Sequence, residues 1–192
     1  MRRLAYLIAI GLAVPTLASC GGSKSGSGMN QSNISGLGRP SGGPATMRLQ
    51  SAAFADRVRL PARFTCDGKG VSPPLAWTAA PRGTQSLVVL LQDPDAPGGT
   101  FLHWSVYAIP KNTRKLSQGS IPSHAARGRN SFGKLGYGPP CPPKGDRPHR
   151  YVFSVYAVPH RAAFGPGADV TAVGRLAATA LAKGVLTARY SR

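Results

Sequence analysis

Acid is nearly absent from this chain. Of its 192 residues six are acidic, all of them aspartate, against 24 lysines and arginines, and the formal net charge is +18. So few carboxylates leave little material for acid/base pairs or carboxylate-rich metal centres. Cysteine is also scarce, at three residues. No Cys-x-x-Cys or His-x-x-x-His spacing occurs, which argues against zinc, and neither metal nor cofactor is expected. No serine of the folded region stands in a Gly-x-Ser-x-Gly turn, so the usual nucleophilic hydrolase is not expected either. Long apolar runs are missing too: the stretch from Leu4 to Val14 is about eleven residues, against the ~20 that a helix needs to cross a bilayer. The basic residues are scattered singly, which speaks for a solvated surface and against a nucleic-acid site.

What is present starts with an export signal. Residues 1–19 carry Arg2 and Arg3, then an apolar stretch, then small residues, the layout of a secretory leader. Leu17-Ala18-Ser19-Cys20 resembles the bacterial lipobox, which makes Cys20 the expected point of lipidation. Residues 20–45, rich in Gly and Ser, read as a flexible tether with a typical span of roughly 25 to 30 Å. The expected location is therefore extracytoplasmic, anchored by lipid to a bacterial membrane, with residues 46–192 forming one domain. In that compartment the surplus of positive charge suits anionic lipid head groups and envelope polymers. Cys66 and Cys141 then form an even pair, open to two uses: one disulfide, or two buried thiols.

Within the domain the apolar runs are short, rich in Val, Tyr and Phe, and stopped by Pro and Gly, the signature of strands joined by turns. "MRLQS" at 47–51 alternates like an edge strand, whereas "SLVVLLQ" at 86–92 does not alternate and reads as a strand buried on both faces. "HWSVYAI" at 103–109 and "RYVFSVYAV" at 150–158 behave similarly, so these three should form the centre of a sheet. Residues 111–148 show little periodicity and should lie over one end of it. One helix is expected over 169–184, capped by Asp169 and closed by Gly184. Many strands and one late helix predict a mostly-β sandwich.

Chemistry concentrates in two loops. After the buried 86–92 strand the chain turns through "DPDAPGG", where Pro94 and Pro97 fix the backbone and Asp93 and Asp95 either cap the loop's own amides or face a pocket with His103. The second loop, "GYGPPCPPKGDRPHRY" at 136–151, sets prolines around Cys141 and ends with His149 at the mouth of the next strand. Two histidines and two aspartates thus gather at strand ends.

Four stretches, "SAAFADRVRLPARFTCDGKGVSPPLAW", "LQDPDAPGGTFLHWSVYAIP", "GYGPPCPPKGDRPHRYVFSVYA" and the final "YSR", closely resemble the bacterial branch of the phosphatidylethanolamine-binding protein family. The resemblance runs from about residue 47 to 192. It implies an antiparallel β-sandwich of Greek-key type with a C-terminal α-helix. It also implies a small pocket for phosphate, acetate or phosphorylated head groups. Carried over, Asp93, Asp95 and Pro97 come from the first turn, His103 from the next strand, and Pro142, Pro143, His149 and Tyr151 from the second loop. Bacterial relatives usually have glycine where this chain has Pro139, which removes one backbone N–H from the loop.

The expected chemistry follows from charge. An aspartate beside a histidine raises its pKa, so His103 and His149 should donate to phosphate oxygens with help from loop amides, while the carboxylates meet an ammonium. The expectation is a non-catalytic binding protein for a phospho-anion or a phospholipid head group. The alternative is an inhibitor of serine proteases or an envelope regulator, since the family includes protease inhibitors.

Overall fold

The computed structural model describes residues 45–192. The expected leader, most of the tether, and Cys20 lie outside the described residues. Nine strands and one helix follow in order: β1 (Ala45–Thr46), β2 (Leu49–Gln50), β3 (Leu75–Trp77), β4 (Ser86–Asp93), β5 (Phe101–Pro110), β6 (Lys115–Leu116), β7 (Ala126–Arg127), β8 (His149–Val158), α1 (Val170–Ala178) and β9 (Ala182–Tyr190). Six strands make one sheet in the order β1-β9-β8-β4-β5-β7, and β2-β3-β6 make a smaller one.

The non-alternating run of β4 has a simple cause. Leu87, Val89 and Leu91 face the small sheet and join the main core with Trp104, Tyr151, Phe153 and Trp77. Val88 and Leu90 face the other way and pack with Val173, Leu176 and Ala177 of α1. Both faces of the central strand are covered, so both parities must be apolar. As expected, β4 lies between β5 and β8 at the centre of the sheet.

Three expectations need correction. The helix ends at Ala178, with Thr179 as its C-cap, while Asp169 caps the start by accepting the Ala172 N–H. Gly184 closes no helix; it sits in β9, where a Cβ would stand 2.7 Å from the Met47 carbonyl oxygen and 3.0 Å from Val155 Cγ1. From Ala182 onward burial alternates residue by residue, so the two-residue period of a strand overrides the helical reading. The helix lies near the C-terminus, as the family resemblance implied, and the chain then returns to the sheet as β9. Second, the edge strand expected at 47–51 is shorter: burial alternates through it, but only Leu49–Gln50 form β2, at the edge of the small sheet against β3, while the preceding β1 pairs in parallel with β9. The sandwich is therefore antiparallel except where β1 meets β9. Third, the irregular 111–148 stretch is pinned into both sheets by β6 and β7 before it passes over the end of the large one.

Candidate functional site

At that end of the large sheet β4 stops and β8 begins. In the β4–β5 ladder Leu91 pairs with Trp104 but Gln92 with Leu102, so His103 is the extra residue of a bulge. Bulges re-aim a side chain out of the regular alternation. Here the bulge turns His103 toward a cavity of about 160 Å³. Seven of the eight expected ligand residues line it: Asp93, Pro97, His103, Pro142, Pro143, His149 and Tyr151.

The eighth, Asp95, is turned away. Its two carboxylate oxygens accept from Arg150 Nε and Nη2, both at 2.8 Å, and the Arg150 backbone N–H adds a third bond at 2.8 Å. The Arg150 guanidinium holds the Asp95 carboxyl far below the usual carboxylate range, against the opposing effect of burial. Asp95 is thus a clamp between the β4 turn and β8. A carboxylate saturated by a bidentate arginine is not free for a ligand's ammonium, which corrects that expectation.

Asp93 is buried and also committed. Its Oδ1 accepts the Asp95 N–H at 2.9 Å, the capping use the turn sequence allowed. Its Oδ2 accepts the His149 Nδ1–H at 2.8 Å. The proton is assigned to Nδ1 because a carboxylate can only accept. His149 Nε2 stands 3.6 Å from Asp146 Oδ2, a carboxylate at the rim with its side chain 44% exposed.

His103 differs from expectation. Its Nδ1–H donates to the Gly138 carbonyl at 2.9 Å, while the Gly138 N–H donates back to the His103 carbonyl at 2.7 Å. Burial pushes the His103 pKa down, and the Gly138 bond and the Asp93 charge only partly offset this. The neighbouring aspartate therefore does not make His103 a cation at neutral pH; desolvation wins. A neutral ring with its proton on Nδ1 leaves Nε2 as an acceptor. Gly138 is required here: a Cβ would lie 2.7 Å from the Phe132 ring.

The loop amides are mostly spent or missing. Gly136 donates to Gly128 and Gly138 to His103. Residues 139, 140, 142 and 143 are prolines with no N–H. Cys141 alone in that run has an amide, and it makes no hydrogen bond among the described residues. The Tyr151 hydroxyl is buried and makes no well-formed hydrogen bond, although the Asp93 carboxylate is near enough to hold its proton. Burial and the Asp93 charge push its pKa up, so it stays a neutral O–H donor.

The proline wall is fastened from behind. Cys66 and Cys141 form a disulfide, and the Cys66 N–H donates to the Pro140 carbonyl at 3.0 Å. Asp67 accepts from the Tyr190 hydroxyl at 2.7 Å and from Arg192 Nε at 3.1 Å, which explains the terminal "YSR". Tyr137 donates to the Phe64 carbonyl at 2.7 Å.

Residue types alone missed two wall residues and one organiser. Phe101 and Phe132 flank His103, with ring centroids 5.0 and 5.6 Å away. Phe132 is 48% exposed, held over the cavity by Asn130, whose buried side chain accepts the Phe132 and Lys134 N–H groups and donates to the Gly136 carbonyl. An aromatic set among Asn, Ser, Gly and Lys in "NSFGKLG" was the available signal.

Comparison with known proteins agrees with this fold. The family model described as "Phosphatidylethanolamine-binding protein" matches residues 50–191. A protein of Aquifex aeolicus named "UPF0098 protein" is 47% identical over 122 residues, 62% of this chain and 71% of that one. A Mycobacterium tuberculosis protein named "Putative lipoprotein LppC" is 38% identical over 129 residues, 67% of this chain and 63% of that one. The crystal structure of E. coli YbcL, described as a new member of the mammalian PEBP family, has a TM-score of 0.72 and 33% identity, covering 76% of this chain and 98% of that one. With its two sheets, its late helix and its cavity at the sheet's end, the chain belongs to the phosphatidylethanolamine-binding protein family.

Proposed function

We propose that this protein binds the phosphoryl group of a small phosphomonoester, such as free phosphoethanolamine, and does not transform it. The observation that carries this reading is the set of uncommitted polar groups in the cavity. Tyr151 offers a buried O–H, and Cys141, exposed at the cavity's edge, an N–H with no partner among the described residues, while the one carboxylate inside, Asp93, is taken by His149 and a backbone amide. Such donors around a saturated carboxylate suit an anion.

Neutral His103 sharpens the ligand. Its Nε2 accepts, so the bound phosphoryl group must present a proton or bring one with it. A phosphomonoester, with its second pKa near 6, is mostly dianionic above neutrality and takes up a proton on binding. A cavity of about 160 Å³ is smaller than the ~300 Å³ at which drug-sized sites begin. It holds a phosphoryl group and a short substituent against Pro97, Phe101, Phe132 and the proline wall. An ammonium on the substituent meets Asp146 at the rim, in the role first expected of Asp95.

Nothing in the cavity supplies an activated nucleophile, so binding without turnover is the reading the residues favour. The Leu17–Cys20 motif and the lipoprotein name of the mycobacterial relative support lipid tethering outside the cytoplasm. Calorimetric titration with phosphoethanolamine tests the pocket. Saturable binding that Tyr151→Phe and His103→Ala each weaken about tenfold is expected; binding indifferent to both would reject it.

A further inference from the structure

Outside the cavity, at the end of the large sheet where β8 begins and β9 ends, arginines stand in register across three chain segments. Arg150 of β8 pairs with Arg189 of β9, and Arg189 is bridged on its other side by Arg59. Like charges on directly opposed strand positions repel. Arg150 is neutralised by Asp95, but Arg59 and Arg189 have no ion-pair partner among the described residues.

No carboxylate side chain remains to supply one. All six aspartates are described: Asp56 meets Arg57 and the Thr187 N–H; Asp67 meets Tyr190 and Arg192; Asp93 and Asp95 are committed at the cavity; Asp146 stands by His149; Asp169 caps α1. A carboxylate or phosphate partner for Arg59 and Arg189 would therefore come from outside this chain. The place is concave, a groove of about 230 Å³ lined by Arg57, Arg59, Pro148, Arg189, Tyr190 and Ser191, with no acidic residue in its walls. It is also ordered. The Arg59 guanidinium lies 5.2 Å over the Tyr190 ring, and the Tyr190 hydroxyl is itself tied to Asp67. Arg57 holds a left-handed backbone (φ 63°) that glycine would adopt more easily, fixed by its N–H on the Thr187 carbonyl.

We propose that this groove is a second anion site, taking a multiply charged phosphoryl group between Arg59 and Arg189. Arg59 and Arg189 line the same groove, which lets two guanidinium forks grip oxygens of one phosphate or of two linked ones. The proposal is independent of the cavity, which it neither shares nor needs.

Tripolyphosphate is the soluble probe and phosphatidylcholine vesicles doped with phosphatidic acid the lipid one, each offered to the mature chain from residue 20 onward carrying Cys20→Ala, so that neither leader nor lipid anchor contributes. Arg59→Gln and Arg189→Gln should each weaken binding of at least one probe about tenfold, while Tyr151→Phe leaves it intact. Arginine-dependent capture by doped but not pure phosphatidylcholine vesicles identifies head groups as the source; arginine-dependent binding of tripolyphosphate alone identifies a soluble anion. Binding of neither probe overturns the proposal, as does binding that ignores both arginines or is lost with Tyr151→Phe. An equal loss in the double variant Lys111→Gln, Arg161→Gln, which removes matched charge at the opposite end of the sheet, also overturns it.

Discussion

His149 and Asp93, 56 residues apart in sequence, meet in a hydrogen bond of 2.8 Å from Nδ1 to Oδ2 while both side chains are only 4% exposed. The bond fixes the imidazole plane at the mouth of β8 and leaves Nε2 directed toward the rim. The other oxygen of Asp93 holds the turn through the Asp95 amide, so one carboxylate sets both the loop and the histidine.

Asp93→Ala should therefore damage stability and binding together. It leaves a buried ring N–H and a backbone N–H unpaired, at a cost of about 2 kcal/mol or more, readable as a lower urea midpoint. Asp93→Asn, whose amide oxygen can still accept from His149, should recover most of that stability.

Tyr151→Phe should behave in the opposite way. Its hydroxyl is buried and makes no well-formed hydrogen bond, so removing it costs little stability or gains some. Phosphoethanolamine affinity should nevertheless fall about tenfold. A large loss of stability with unchanged affinity would show that the hydroxyl serves the fold and not the ligand.

Acid should weaken the Asp95–Arg150 clamp. The Asp95 pKa is depressed in the folded state, so its contribution is complete above the ordinary value of 3.8 and is lost as pH falls through the depressed one. Arg150→Gln removes the cause. The variant should be modestly destabilised at neutral pH, since the guanidinium is half exposed and the pair is screened by solvent, with the difference shrinking in denaturation curves below pH 3.8.

His103 predicts a different window. Its folded pKa lies below the ordinary 6.5, so the unfolded chain takes the proton first and stability falls as pH drops below about 6.5. His103→Asn should flatten that part of the stability curve. A curve that keeps its slope in the variant would assign the titration to another group.

The disulfide closes a 75-residue separation, for which chain entropy gives about 4 kcal/mol. Cys66→Ser with Cys141→Ser should cost a stability of that order. Because Cys141 belongs to the cavity wall, anion affinity should fall with it.

Much of this site could be read from the chain because local chemistry coincides with topology. Asp93, His103 and His149 stand where apolar runs meet Pro/Gly turns, and such positions fall at strand ends. The doubly apolar β4 likewise announced a centre covered on both sides. What could not be read depends on distant partners. Asp95 looks equivalent to Asp93 until Arg150, 55 residues on, is seen to take both its oxygens. The end of α1 was hidden because Ala180, Leu181 and Ala182 favour a helix, and only the pairing of β9 with β1 and β8 overrides them. The protonation of His103 depends on burial by a loop whose placement no local pattern specifies.

The most direct measurement is a histidine ¹⁵N NMR titration with phosphoethanolamine at pH 7.5. Binding should shift the His103 and His149 ring nitrogens, with His103 Nε2 moving toward its protonated position and calorimetry in two buffers reporting proton uptake, while His124 and His160 stay still. His103 and His149 resonances that do not move at saturating ligand, or binding with no proton taken up, would contradict a phosphoryl site built on a neutral His103.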